Sequence, residues 1–557
     1  MATSTNLSAR IFAGAFACLV ASQVFAVGSD QQSASQKLDS MVSQYDSETE
    51  PGVVVLVVKD GETVYKRAAG LANIEHRAKI TPSTVFHIGS VSKQFTTIAL
   101  MLLEREGKLN IDDDVRKYLP ELPFYGTKIT LRNLANHTSG LREISDLTNM
   151  CGVRDNEFFS NDQALQLLFQ QRHLNYEPGT RYEYGNSEYI LLSEVVARVS
   201  KVPFSKFLND RIFQPLGMKN SSVRDDPEVV IPNRADSYNL SGDSVSKSSF
   251  NWSFVGSTGL NTTAEDLALW ARNFEDPKIG DQAIFKRMME FGVLKNGVVL
   301  PYALGQEQKK YRGLDIIFHG GGDAGYRAYL MRVPSKKFSV IVMGNFTRFN
   351  PLNLAYRALD AYIFGNEVDV PPLKFDPSLH STIVGSYEVF PGLIFTLSSK
   401  NNKMFMQFLG DTDKLELPQT GDFEFIFPPI EHSKLVFDGS KGSKVSTFDW
   451  HMSDFSYPGK RIDIKPYDSK RVKLAELVGR YYSPELKDTY ELTILNKQLI
   501  ATHRNSYDIN LASFQRDIFL GSEGFFRKVV VVRDKKRKVV GISVSAQHAT
   551  IYFEKLR

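Results

Sequence analysis

The hydrophobic and polar positions along the chain first indicate a hairpin. Residues 52–70 read GVVVLVVKDGETVYKRAAG, and two β-rich runs flank the dipeptide Asp60-Gly61. A dipeptide of this kind between two hydrophobic runs predicts two antiparallel strands joined by a tight turn. After this hairpin the period changes, and helical patterns dominate from residue 90 to about residue 275.

Three runs within the helical part have a clear apolar face. The first has its apolar residues on one side of a helix, at Phe95, Ile98, Ala99, Leu102 and Leu103. Residues 187–200 and 263–274 follow the same period. Thr263 opens the last run, and we expect it to cap that helix.

Strand patterns return after the helical part. Residues 325–334 and 337–345 read as strands, and residues 352–365 read as a helix. Strands at both ends of a long helical stretch predict one mixed sheet, formed by the N- and C-terminal segments, with flanking and inserted helices. This is an α+β fold, and we expect its active cleft between the sheet and the helices, where pockets commonly form.

The pattern changes again past residues 368–375, VDVPPLKF, which read as a linker. Short β-type segments alternate there with Gly, Asn and Asp turns. Gly385-Ser386-Tyr387 recurs as Gly479-Arg480-Tyr481, and residues 435–448 parallel residues 529–542. This internal repeat predicts two all-β antiparallel, barrel-like domains. The predicted domains cover residues 33–366, 372–467 and 472–557.

Composition and charge narrow the class of protein. The chain has 557 residues, of which 42% are hydrophobic and 23% charged, as expected for soluble globular domains. Its net charge is only +4, from 67 basic and 63 acidic residues. So small an excess implies neither a nucleic acid nor a membrane surface as partner.

The N-terminus has the pattern of a secretory signal peptide. One arginine precedes an apolar stretch, no acidic residue occurs before Asp30, and Val24-Phe25-Ala26 offers a cleavage site, so we assign residues 1–26 to the signal. Beyond it, no run of 18 apolar residues predicts a membrane span. Cys18 lies in the signal and leaves Cys151 without an intrachain partner, which favours a bacterial periplasm, with secretion as the alternative.

The tetrapeptide Ser-Val-Ser-Lys occurs twice, and its context differs. Ser90 directly precedes an apolar helix face, and Lys93 lies about one turn further on the same face. Burial of that face would lower the pKa of the lysine, so that its amine could take the serine proton. The second copy, residues 244–247, lies beside a turn-forming Gly-Asp and has no apolar period, so we interpret it as a loop.

Two further segments supply side chains for acyl transfer. Tyr184 and Asn186 stand at the entrance of the helix at 187–200. A tyrosine near an ammonium group can ionise more easily and shuttle protons, whereas Asn186 would serve most simply as a helix cap. His319 is followed by three glycines, which allow a close backbone approach just before a strand.

In this order and spacing the motifs resemble those of the serine β-lactamase-like hydrolases. These include class C β-lactamases, D-alanyl-D-alanine carboxypeptidases, class VIII esterases and D-aminopeptidases. The Ser-x-x-Lys motif falls on Ser90 and Lys93, Tyr-x-Asn on Tyr184 and Asn186, and the Lys/His-x-Gly motif begins at His319 and ends at Gly321. Supporting runs are LRNLANHTSGL at 131–141, with His137 interpreted as structural, and GSTGLNTTAEDLALWA at 256–271.

The resemblance implies a role for each residue. Ser90 would be acylated, Lys93 would activate it, and Tyr184 would relay protons and activate the deacylating water. Asn186 would contact the carbonyl or amide of the substrate, and His319 and Gly321 would help to bind it. The backbone N–H groups of Ser90 and Gly322 would form the oxyanion hole. The reaction needs no metal and no cofactor, and no oligomeric state follows from the sequence.

The histidine at position 319 bears on the substrate. Many β-lactamases and carboxypeptidases carry a lysine there, whereas a histidine is largely neutral at pH 7 and suits a substrate carboxylate less well. The histidine therefore favours ester or aminopeptide substrates. The arrangement with two C-terminal β-domains also resembles that of D-aminopeptidases, so we expect a D-aminopeptidase-like hydrolase of small peptides. The alternatives are a carboxylesterase of the same fold and a non-catalytic protein that binds peptidoglycan fragments or other ligands. We expect the two C-terminal domains to shape substrate choice, through a hairpin loop at the cleft mouth. The alternative is that they only add stability or bind components of the cell envelope.

Overall fold

The computed structural model describes residues 32–557, apart from residues 155, 243, 249–250, 366–374, 430–432, 440–442, 453–454, 465–466, 468–472 and 506–507. The predicted signal peptide and all but the last residue of the predicted linker at 368–375 therefore lie outside the described residues. No helix of the described part is both long and apolar enough to cross a membrane.

A six-stranded sheet is the centre of the N-terminal part, and each of its five strand pairs is antiparallel, so this sheet is antiparallel and not mixed as predicted. The predicted hairpin is confirmed, with Asp60 and Gly61 at φ of 51° and 81° in its turn. Strand Val53–Lys59, the first of this sheet in sequence order, pairs with strand Phe338–Gly344, the last in sequence order, so the two ends of the domain meet at the sheet centre. In spatial order the strands are Glu307–Tyr311, Leu314–Asp323, Tyr326–Val333, Phe338–Gly344, Val53–Lys59 and Glu62–Ala69.

Helices cover both faces of this sheet, which is why its central strand Val53–Lys59 is buried on both sides. One face packs against residues 32–42 and helix Pro351–Leu359, which continues as a π-helical turn to Phe364. The other packs against the inserted helices, and Thr263 caps one of them as expected. The α-helices between the two halves of the sheet are Lys93–Arg105, Leu131–Ala135, Ile144–Met150, Asn161–Phe169, Ser187–Ser200, Phe204–Leu208, Gln214–Leu216, Ala264–Asn273 and Gln282–Met288.

The second Ser-Val-Ser-Lys copy is a strand, and its interpretation as a loop is wrong. Strand Ser244–Lys247 pairs with strand Tyr238–Ser241 in a small hairpin, and all four residues of the copy are exposed. Pairing of backbone groups explains why a strand forms without an apolar period. The other short strands of this part are Leu71–Asn73, Ala78–Lys79, Phe86–His87, Ser222–Val223 and Leu260–Thr262.

The C-terminal part consists of two antiparallel sheets, which confirms the predicted fold class. The first has nine strands and its own core, and its two edge strands are separated in sequence by a single residue, Pro418. Its strands are Gly385–Glu388, Ile394–Lys400, Lys403–Phe408, Leu415–Leu417, Gln419–Gly421, Glu424–Ile426, Lys434–Phe437, Thr447–Met452 and Phe455–Ile462. The second is a closed eight-stranded barrel of strands Gly479–Ser483, Asp488–Leu495, Gln498–Thr502, Ile509–Gln515, Ile518–Gly521, Lys528–Arg533, Val539–Ser545 and Thr550–Lys555.

The repeat seen in the sequence has a structural counterpart. Gly385 and Gly479 open the first strand of each sheet with φ of 152° and 140°. Tyr387 and Tyr481 are fully buried, and each donates a hydrogen bond to the carbonyl four residues earlier, at 2.6 and 2.7 Å. The repeated motif therefore starts two sheets in the same way.

The closed barrel packs directly on the helices near the predicted site. Arg142 and Glu485 form an ion pair at 2.7 Å, with side chains that are 6% and 5% exposed. The turn between the last two barrel strands also reaches this region. In it, His548 accepts a hydrogen bond from the N–H of Glu143 at 3.2 Å and donates its own N–H to Asp146 at 2.6 Å. The barrel thus holds the chain segment at 142–146 from both ends.

Candidate active site

Ser90 and Lys93 lie at the junction of a short 3-10 turn and the buried helix Lys93–Arg105. Ser90 belongs to the turn Gly89–Ser92 and is partly exposed, whereas Lys93 is completely buried. The Nζ atom of Lys93 lies 3.1 Å from Ser90 Oγ. The two side chains are therefore within the distance that proton transfer between a nucleophile and its base requires.

The surroundings of Lys93 suit a base. Its Nζ atom also contacts Asn186 Oδ1 at 2.9 Å and the carbonyl oxygen of Ser257 at 3.1 Å. Burial lowers the pKa of Lys93 to about 7, against the opposing effect of the Glu143 and Glu188 carboxyl groups. A substantial fraction of Lys93 is therefore neutral at physiological pH and can accept a proton.

Tyr184 lies beside this pair, but its ionisation differs from the expectation. Its ring centroid is 4.7 Å from Lys93 Nζ. Burial raises the pKa of Tyr184 well above its usual range, and a hydrogen bond with Ser90 opposes this only in part. The expectation that a nearby ammonium would ease its ionisation is wrong, because desolvation of the phenolate is the larger effect. The neutral hydroxyl remains next to the serine.

Asn186 occupies the N-cap position of helix Ser187–Ser200, yet its side chain makes no capping hydrogen bond. The interpretation of this side chain as a cap is therefore wrong. Its Oδ1 faces Lys93, while its Nδ2 donates to Glu143 Oε1 at 2.9 Å. The amide therefore lies between the amine of Lys93 and the buried carboxyl group of Glu143.

His319 is completely buried at the back of the site. Its Nδ1–H donates to the carbonyl of Gly320 at 2.6 Å, and its Nε2 lies 3.1 Å from the hydroxyl of Tyr302. Burial, together with the charge of Lys93, lowers the pKa of His319 to about 3. The imidazole is thus neutral at pH 7, as the sequence suggested, and both its nitrogen atoms have protein partners.

The glycines after His319 allow the strand to touch the serine turn. A Cβ atom on Gly321 would lie 2.0 Å from the carbonyl oxygen of Ile88 and 3.1 Å from the backbone nitrogen of Ser90. A Cβ atom on Gly89, which has φ of 51°, would lie 2.5 Å from the backbone nitrogen of Gly322. The contact therefore requires glycine on both sides and brings the nitrogens of Ser90 and Gly322 to the same edge of the site.

Two buried acidic residues that were not predicted from the sequence lie beside the site. Glu143 is 8% exposed and Glu188 is 2% exposed. Burial, with the Glu143 charge next in size, raises the pKa of Glu188 to about 8. A Cβ atom on Gly185 would lie 2.6 Å from Glu188 and 2.9 Å from Glu143, so the two carboxyl groups leave room only for glycine between Tyr184 and Asn186. Glu143 lies only two residues after the family-like run at 131–141, and this position was the one feature of the sequence that could have pointed to it.

Comparison with known proteins identifies the family of this chain. Residues 38–362, more than half of the chain, match the protein family described as Beta-lactamase. The chain therefore belongs to the β-lactamase family, in agreement with the resemblance carried by its three motifs. Among the residues that the structure describes, no group of three His, Cys, Asp or Glu side chains could hold a metal ion.

Curated relatives narrow the resemblance within the family. The chain is 31% identical over 300 residues to a D-aminopeptidase of Gluconobacter oxydans, a match that covers 53% of this chain and 56% of that protein. It is 25% identical over 514 residues to a D-aminopeptidase of Brucella anthropi, covering 89% of this chain and 93% of that protein. The chain thus spans just over half of the first relative and nearly all of the second.

Solved structures share the fold. The octameric penicillin-binding protein homologue from Pyrococcus abyssi superposes with a TM-score of 0.54 at 20% identity, covering 85% of this chain and 99% of that one. The D-amino acid amidase from Ochrobactrum anthropi SV3, complexed with D-phenylalanine, has a TM-score of 0.51 at 21% identity and covers 61% and 100%. At these identities the likeness concerns the fold alone.

Proposed function

We propose that this protein is a serine hydrolase of the D-aminopeptidase type, which releases N-terminal D-amino acids from small peptides or amides through an acyl-enzyme. The observation that carries the proposal is the contact of Ser90 Oγ with Lys93 Nζ at 3.1 Å, because burial lowers the pKa of this lysine to about 7. The relatives named D-aminopeptidase support the substrate class.

In the proposed acylation, Ser90 Oγ attacks the carbonyl carbon of the scissile amide and its proton passes to Lys93 Nζ. The backbone N–H groups of Ser90 and Gly322 stabilise the negative oxygen of the tetrahedral intermediate, usually a large contribution in acyl transfer. The C–N bond then breaks, and the proton reaches the leaving amine through the hydroxyl of Tyr184. The products of this half-reaction are a free amine and an ester on Ser90.

Deacylation repeats these steps with water. The water gives one proton to the Tyr184–Lys93 pair as its oxygen attacks the ester carbonyl, and Ser90 recovers that proton as it leaves. The second product is a D-amino acid with a free carboxyl group. Asn186 would contact the substrate while its oxygen remains next to Lys93.

The buried histidine separates this activity from β-lactam hydrolysis. A fixed cation would attract the carboxylate of a penicillin, whereas the low pKa of His319, about 3, keeps that residue neutral at pH 7. We therefore expect poor turnover of penicillins and cephalosporins.

A substrate panel tests the proposal. Purified protein is assayed with D- and L-alanine p-nitroanilide, short-chain p-nitrophenyl esters and nitrocefin, with the Ser90→Ala variant as the matched control. We expect the D-anilide to have the largest kcat/KM and nitrocefin the smallest. Ester cleavage without D-anilide cleavage would replace the peptidase by the carboxylesterase alternative. Binding without any turnover would support the non-catalytic alternative.

We also propose that the protein is exported, on the basis of the signal-like residues 1–26. Sequencing the N-terminus of protein isolated from its native cell envelope is the test. A start close to residue 27 is expected, and an intact Met1 would contradict export.

We propose that the turn between the last two barrel strands, which carries His548, influences which substrates enter the site. His548 lies against the loop that carries Glu143, and its ring pairs at 2.9 Å with Glu183, the residue before Tyr184. A turn at this place can limit the size of the substrate. We expect replacement of residues 547–548 by Gly-Gly to broaden the range of peptide lengths while Ser90 is still acylated, and an unchanged range would contradict this role.

A further inference from the structure

The carboxylate of Glu143 holds Asn186 at two points. Its Oε2 accepts the backbone N–H of Asn186 at 2.6 Å, and its Oε1 accepts the side-chain Nδ2 at 2.9 Å. A carboxylate has no proton to donate, so the NH₂ end of the Asn186 amide is the end that can face it. The carbonyl end must then turn towards Lys93.

This orientation of Asn186 decides where the lone pair of Lys93 points. A neutral amine has two N–H donors and one lone pair. Asn186 Oδ1 at 2.9 Å and the Ser257 carbonyl at 3.1 Å can accept the two N–H donors, which leaves the lone pair for Ser90 Oγ. If the amide of Asn186 were rotated by half a turn, its NH₂ group would occupy the lone pair, and the base would be lost.

We propose that Glu143 is a positioning residue for acyl transfer, which acts through the amide of Asn186 to aim the lone pair of Lys93 at Ser90. The inference deepens the proposed function, because it concerns the activation of the same serine. Glu143 is well placed for this task, since its carboxylate lies at the N-terminal end of helix Ser187–Ser200, where the helix dipole favours a negative charge.

The charge of Glu143 has a second effect, on the pKa of Lys93. It raises this pKa and so opposes the larger effect of burial. Glu188 is mostly protonated at pH 7 because its own pKa is about 8. The titratable groups that face Lys93 from neighbouring segments are Glu143, Glu188, His137, Tyr184, Tyr189 and His319. The two histidines have lowered pKa values, and the two tyrosines raised ones, so these four side chains are neutral at pH 7.

The test compares Glu143→Gln with Glu188→Gln. Both remove a buried carboxyl group beside the site, but Glu188 accepts its hydrogen bond from Ser139 and not from Asn186, and it is already mostly neutral at pH 7. The readouts are kcat and KM for the D-anilide and the rate at which a fluorophosphonate labels Ser90, each between pH 5 and pH 9. Circular dichroism establishes that each variant is folded.

For Glu143→Gln we expect the labelling rate and kcat to fall about 10²-fold, as for other small misplacements of reacting groups, with KM little changed. The acidic limb of the pH profile should move to lower pH, because the charge that stabilised protonated Lys93 is gone. Glu188→Gln should stay within about threefold of the parent at pH 7, since amide and protonated acid are similar there. A folded Glu143→Gln with the parent's rate and pH profile would overturn the proposal.

Glu143→Asp gives an independent test if the glutamine variant does not fold. It keeps the charge but shortens the reach, so we expect a slower labelling rate with the acidic limb in its original place. An aspartate variant that labels at the parent's rate would also overturn the proposal. Because labelling needs no peptide, it judges the role of Glu143 even if the parent protein cleaves no D-anilide, a result that would contradict the substrate proposal alone.

Discussion

The two Ser-Val-Ser-Lys copies of this chain have the same four side chains and opposite surroundings. In the first, Lys93 is fully buried and its neighbours within hydrogen-bond distance are the uncharged oxygens of Ser90, Asn186 and Ser257. In the second, Lys247 is 52% exposed on a hairpin strand and forms ion pairs with Glu75 at 2.8 Å and Asp236 at 3.2 Å.

The difference appears directly in the ionisation of the two lysines. Burial lowers the pKa of Lys93 to about 7, whereas hydrogen bonds to Glu75 and Asp236 raise the pKa of Lys247 above its usual range. Lys93 can therefore accept a proton from a serine at neutral pH, whereas Lys247 remains protonated. We therefore expect this four-residue motif to support catalysis only where burial removes water from the amine and uncharged acceptors surround it.

Replacing the first serine of each copy by alanine, one at a time, should give the largest difference in activity between the two copies. We expect Ser90→Ala to reduce turnover by about 10⁴-fold or more and to abolish fluorophosphonate labelling, because the covalent route is lost. Ser244→Ala should keep both. Mass spectrometry of the labelled peptide identifies the serine, and labelling that survives Ser90→Ala would contradict the assignment.

Replacing the lysine of each copy by alanine, one at a time, should give the next largest difference in activity. Lys93→Ala removes the proposed base, so we expect turnover to fall roughly 10²–10⁴-fold, the usual contribution of general acid–base catalysis. Lys247→Ala is the matched control and should turn over normally. Equal losses in the two variants would show that the buried environment is not what distinguishes them.

Tyr184→Phe tests a feature that only the first copy has. The hydroxyl next to Ser90 would be lost while the ring beside Lys93 remains, and we expect kcat to fall about 10²-fold, at the lower end of the acid–base range. Steady-state assays at pH 8 measure it. Near-normal turnover would remove Tyr184 from the mechanism.

The pH profile sharpens the comparison further. Lys93 must be neutral to accept a proton and its pKa is about 7, so acylation should rise with pH up to about pH 7 and then level off. Well below this pKa the rate should fall about tenfold for each pH unit, as the neutral fraction does. A labelling rate that stays constant from pH 5 to pH 8 would contradict the lowered pKa.

The smallest effect is expected on stability at the exposed copy. Lys247→Ala breaks two surface ion pairs, which usually contribute about 0–1 kcal/mol. Chemical denaturation should therefore give a free energy of unfolding close to that of the parent, and less different still in high salt. A much larger loss would mean that this hairpin is more than a solvated surface element.

Much of the fold could be predicted from periodicity, because alternation and helical faces are local properties. The hairpin at Asp60-Gly61 and helix Ser187–Ser200 were predicted within a few residues. Strand Ser244–Lys247 was missed because its exposed side chains leave no apolar pattern, and only its backbone pairing with Tyr238–Ser241 reveals it.

Only part of the site could be predicted, because a sequence reveals short motifs but not contacts between distant segments. Ser90, Lys93, Tyr184 and Asn186 belong to short motifs, and the fold brings all four together. Glu143 belongs to none, because the role proposed for it depends on a contact with Asn186 across 43 positions of sequence. The pKa of Tyr184 was misjudged because a sequence shows the neighbouring charge but not the extent of burial, and burial dominates here.

The ion pair between Arg142 and Glu485 has a consequence for how the molecule comes apart. The closed barrel and the helices that it packs on also share one continuous apolar core, to which Met150 and Tyr490 both belong. If the closed barrel unfolded alone, this shared core would be exposed to water, and the ion pair and the contacts of His548 with Glu143 and Asp146 would be lost with it. We therefore expect the barrel and the helices around Ser90 to melt cooperatively, so that loss of the proposed activity on heating and barrel unfolding share one transition.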